Sequence, residues 1–115
     1  MVARVGRRSA ACDELLARLG SRTGAFVTAW NPLGRRRPLG WNRRMQAGLL
    51  AVARRLPLTQ GRGTALRGSW FEEHLLIAAD PRRLIVLARR FRQRAIVVVT
   101  RDRPARLTFV HSFSD

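Results

Sequence analysis

The chain has 115 residues, 23 of them basic and 7 acidic, for a formal net charge of +16. One domain with its own hydrophobic core fits that length, and a single cysteine, Cys12, excludes an internal disulfide framework. Every basic residue is arginine and tyrosine is absent, as GC-rich codon choice would produce, but the scarcity of acids is not a codon effect, so the charge should attract polyanions.

Residues 1–8 carry no periodicity and read as a disordered basic arm, leaving 9–115 as a single α+β domain. Ser9 can cap a helix whose apolar stripe is Ala11, Leu15, Leu16 and Leu19, with Asp13 and Glu14 near its positive end and Gly20 closing it. Ala25 to Pro32, AFVTAWNP, predicts a strand stopped by Asn31-Pro32. The loop that follows carries Arg35, Arg36 and Arg37, three like charges that are either solvated or paired with an anion. Trp41, Met45, Leu49, Val52 and Leu56 recur at helical spacing and Pro57 stops that helix. Pro57 to Gly61 predicts a short edge strand. Gly61-Arg62-Gly63 reads as part of a hairpin connection, because it lacks the later residues of a phosphate-binding loop.

Phe71 to Ala79 predicts a strand covered by helices on at least one face. Asp80-Pro81 opens a helix with Leu84, Leu87, Ala88 and Phe91 on one side, ending near Arg92. Ala95 to Thr100 is a β-branched strand, and RLTFVH alternates as a last strand paired to it. The order predicts a ferredoxin-like split βαββαβ core in an antiparallel sheet, with an N-terminal helix and an extra C-terminal strand. No charged and apolar leader opens the sequence and no apolar run is long enough to span a bilayer, so the expectation is a cytoplasmic protein with no membrane span.

The string FVTAWNP, then Asn42, then Trp70-x-Glu72, then Phe91-x-Gln93-x-Ala95 resembles a small bacterial family of uncharacterised domains with T-A-x-N-P, W-x-E and F-x-Q-x-A motifs. The resemblance spans about Ala25 to Thr100 and implies no activity, since that family has none assigned. Glu73 and Arg92 stand where the family pattern would place proline and glycine.

Independently of the family, the predicted topology puts the end of the first strand, the starts of the next helix and of the third strand, and the entry to the fourth strand at one end of the sheet. Asn31, Asn42, Trp70, Glu72 and Gln93 should therefore meet at one pole, with Arg35, Arg36 and Arg37 beside them as an anion-binding set. Taken singly, each amide is more often a brace for backbone groups than a ligand contact. A carboxylate between amides and an indole is nevertheless what a small polar ligand needs. His74 and His111 lie far apart in the sequence, no nucleophile elbow occurs, and no spacing suits a metal, so no catalytic residue, cofactor or metal is expected.

Three function classes follow. The first is a noncatalytic module binding a small ligand or protein at the polar pole. The second is nonspecific nucleic-acid binding through the arginine-rich surface, since the RNA-recognition fold shares this topology. The third is an enzyme using Glu72.

Overall fold

The computed structural model describes residues 4–64 and 71–110, with the backbone alone for 61–64 and 71–73. Three helices, α1 (Ala10–Arg18), α2 (Leu39–Ala53) and α3 (Pro81–Arg90), accompany five strands. The strands are β1 (Thr23–Val27), β2 (Leu58–Thr64), β3 (Phe71–Ile77), β4 (Ala95–Thr100) and β5 (Arg106–Phe109). They form one antiparallel sheet in the order β2-β3-β1-β4-β5. The central place of β1 follows from its neighbours in register: Ala25 pairs with both Ile77 and Val98, and Phe26 with both Leu76 and Val97.

Strand alternation sends these residues to two apolar layers. Ala25, Val27, Leu75, Ile77, Ile96 and Val98 meet Leu49 and Ala53 of α2 and Leu84 and Ala88 of α3. On the other face Leu76 and Val99 meet Cys12 and Leu16 of α1. Gly24 lies close against the end of β3, and a Cβ there would overlap the Ile77 carbonyl oxygen.

Local chemistry explains the helix ends. The Ser9 hydroxyl accepts from the Cys12 N–H at 3.2 Å, and the Asp80 carboxylate from the Arg82 N–H at 2.9 Å, with Pro81 at the first helical position. The Arg82 side chain and N–H also hold the Asp80 carboxyl below its ordinary value. Both α1 and α3 finish in the same left-handed closure. In α1, Gly20 takes φ +75°, and the N–H groups of Gly20 and Ser21 donate to the carbonyls of Ala17 and Leu16. In α3 the equivalent position is Arg92, at φ +56°, with Arg92 and Gln93 donating to Arg89 and Ala88.

Only glycine adopts that backbone without a Cβ penalty, so Arg92→Gly should stabilise the protein by about 1 kcal/mol. Urea denaturation checks this, and an unchanged or lower midpoint contradicts it.

Several boundaries differ from the predicted ones. β1 starts two residues earlier and ends at Val27, because the chain turns at Thr28 to enter a hydrogen-bonded loop. β2 runs on through Gly61, Arg62 and Gly63, which pair with His74, Glu73 and Glu72; the expected hairpin connection there is strand. Trp41, Met45 and Val52 do not form the centre of the inner face of α2. Its buried residues are Asn42, Gln46, Leu49 and Ala53, while Val52 is 43% exposed. Residues 4–8 run beside the turn between β4 and β5. There Val5 bridges Ala105, and Gly6 N–H and Ala105 N–H donate to the carbonyls of Ala105 and Arg7.

Candidate functional site

The rotation of α2 is decided by what β1 leaves behind. Beyond Val27 the backbone has no strand partner, yet Thr28, Ala29, Trp30 and Asn31 are all buried, so their polar groups need acceptors and donors from elsewhere. Two amides four residues apart on α2 supply them. Gln46 Oε1 accepts from the Ala29 N–H at 2.9 Å and from the Thr28 hydroxyl at 3.4 Å. Asn42 Oδ1 accepts from the Asn31 N–H at 3.0 Å. Asn42 Nδ2 donates to Asn31 Oδ1 at 2.9 Å and to the Arg37 carbonyl at 3.2 Å.

Asn31 completes the ring. Its Oδ1 also accepts from the Arg37 N–H at 2.9 Å, so the loop that leaves β1 and the segment that enters α2 are held by one pair of asparagines. Asn31 stands at φ +46°, a left-handed conformation that asparagine tolerates better than most residues. Leu33, at φ +57°, tolerates it less well, and its N–H is tied at 2.8 Å to the carbonyl of Arg92. Gln93 closes the fourth side: Nε2 donates to the Trp30 carbonyl at 3.1 Å and to the Phe91 carbonyl at 3.3 Å.

Asn31, Asn42 and Gln93 thus meet at the end of the sheet where β1 exits. Trp70 lies outside the described residues. Glu72 is described through its backbone, paired with Gly63 on the part of β3 that extends past the β1 pairing toward this end. Arg35, Arg36 and Arg37 are exposed on the adjoining loop, and the Arg37 guanidinium lies 5.4 Å from the centroid of the Trp41 ring, a cation–π contact.

Two donors in this knot have no acceptor among the described residues. Trp30 Nε1 and Gln46 Nε2 are buried without a hydrogen-bond partner among the described residues, in residues 8% and 7% exposed. The sequence reading missed both. The available signal was the i, i+4 pair Asn42 and Gln46 in phase with Leu49 and Ala53, a polar pair on an otherwise apolar stripe.

The side chains described at this site are amides, a hydroxyl and indoles, which bind and orient without changing charge near neutral pH. No group of three His, Cys, Asp or Glu among the described residues could hold a metal ion. No helix among them is long and apolar enough to cross a membrane.

The model of a family described as protein of unknown function (DUF3293) matches residues 27–96. The chain belongs to that family. The DUF3293 match begins in β1 and ends in β4, so it takes in Asn31, Asn42, Gln46 and Gln93 together with the helices and strands that position them. The first helix and β5 lie outside it. No curated protein and no solved structure is significantly similar to this DUF3293 chain.

Proposed function

We propose that this protein is a noncatalytic binding module whose ligand sits at the pole where β1 leaves the sheet. The observation that carries the reading is the pair of buried donors, Trp30 Nε1 and Gln46 Nε2, in a knot whose other described bonds are made. Burying an N–H without an acceptor costs on the order of 1–3 kcal/mol, and an oxygen acceptor supplied by a ligand removes that cost. The neighbouring Arg35, Arg36 and Arg37 favour a ligand that also carries negative charge. Trp70 and Glu72 are assigned to the same site from the sequence. In this reading the sheet is a ferredoxin-like split βαββαβ core extended by α1 and β5, and the protein is cytoplasmic.

A thermal-shift panel of mononucleotides, amino acids and short dicarboxylates tests the proposal. A compound present at one hundred times its dissociation constant should add about 2.7 kcal/mol to the stability. The same compound should have little effect on Trp30→Phe, which keeps a ring in place and removes the orphaned N–H. A shift that survives Trp30→Phe, or no shift across the panel, overturns the assignment.

The net charge of +16 supports a second reading, nonspecific electrostatic binding of nucleic acid through the arginine surface. It requires no pole and no pocket.

A further inference from the structure

The face of the sheet that carries α1 is only half covered. Register lines up Leu76, Phe26, Val97 and Leu107 across β3, β1, β4 and β5, and pairs Ala95 with Phe109 in the next row toward the β1 exit. Helix α1 packs Cys12 and Leu16 against Leu76, Val99 and Ala105, at the end nearer the turn between β4 and β5. Cover then falls away along the face. Val99 is 3% exposed, Phe26 and Val97 are partly buried, Leu107 is 41% exposed and Phe109 58%.

We propose that this open half is a stacking platform for single-stranded nucleic acid, centred on Phe109 with Leu107 beside it and Phe26 across β4. Two properties select that occupant. The first is an exposed aromatic ring standing out from a flat sheet, which stacks on any flat π-face that reaches it. The second is charge: the molecule carries +16. A polyanion whose π-faces are open has both matching properties. A single strand has them, whereas a duplex hides its base faces in the helical stack. The inference rests on the electrostatic reading above and adds to it a surface and a preference between nucleic-acid forms.

The test is an anisotropy titration with a labelled oligothymidylate and with a duplex of equal length. Wild type should prefer the single strand. Phe109→Ala should weaken single-strand binding by about five-fold or more, the low end for loss of one stacked base, and leave the duplex unaffected. Phe109→Trp should keep the affinity, and its emission should be quenched by the single strand. The side chain is exposed, so the melting curve of Phe109→Ala should match wild type and separate binding from folding.

Equal affinity for both forms with Phe109→Ala neutral overturns the platform and leaves the electrostatic reading standing. Absence of binding to either form at low salt removes both. Polyglutamate binding with the same dependence on Phe109 would replace nucleic acid by an acidic protein segment and overturn the proposal as well.

Discussion

Gly24→Ala should lower the stability of the folded protein by about 3 kcal/mol, the upper end of the usual cost of forcing extra atoms into a packed site. The added Cβ meets backbone, the carbonyl oxygen of Ile77 and the Cα of Ala78, and backbone in a central sheet cannot rotate aside as a side chain can. Gly24 also pairs with Val99 on β4, so moving it away from β3 strains the other ladder. The urea midpoint should fall while the slope stays at its wild-type value. A midpoint equal to wild type would show that β1 and β3 can separate at no cost, contrary to the register.

Asn42→Leu should cost a similar amount, roughly 3 kcal/mol, by a different route. The substitution preserves approximate volume and adds apolar surface, so loss of packing is not the cause. It strips the buried Asn31 N–H of its acceptor and removes the donor shared by Asn31 Oδ1 and the Arg37 carbonyl. Each stranded group costs on the order of 1–3 kcal/mol, less what water recovers at the exposed loop. Because the asparagine pair holds residues 31–37, trypsin should also cut after Arg35 or Arg36 faster than in wild type. Unchanged proteolysis together with an unchanged midpoint would mean that the pair does not hold the loop.

The elements that pattern reveals are those whose burial is one-sided and apolar. β4 shows this best: AIVVVT is a mostly β-branched run between arginines, and its observed span is the predicted one. Asp80-Pro81 is equally legible, since a capping carboxylate followed by a ring that needs no N–H partner specifies a helix start by itself. The central place of β1 follows from chain order and the length of the connections.

The face of α2 was not legible for a definite reason. Hydrophobic spacing asks which residues avoid water, and Trp41, Met45 and Val52 answer it. The inner face is instead set by the buried, non-strand backbone of Thr28 to Asn31, whose demand for Gln46 and Asn42 turns the helix. Such a demand exists only once two distant segments have been brought together. Arg92 is a related case: an arginine side chain does not mark the left-handed position that closes α3, and only the family pattern, which places glycine there, points to it. Asn31, Asn42 and Gln93 could be placed at one end from topology, while Trp30 and Gln46 emerge only from counting donors against acceptors.

The central position of β1 has a consequence for biosynthesis. Both of its ladders are made with strands that come much later in the chain, β3 and β4. At roughly 5–20 residues per second, an emerging ribosomal product carries β1 for seconds with both edges unsatisfied. The local hairpins, β2 with β3 and β4 with β5, can zip as they appear, but neither can shelter the strand alone. A nascent chain halted after Ile77 would cover one edge of β1 and leave the other open to a neighbouring chain. The hazard to this protein is therefore greatest before Thr100 has been added, when its central strand is still its most adhesive one.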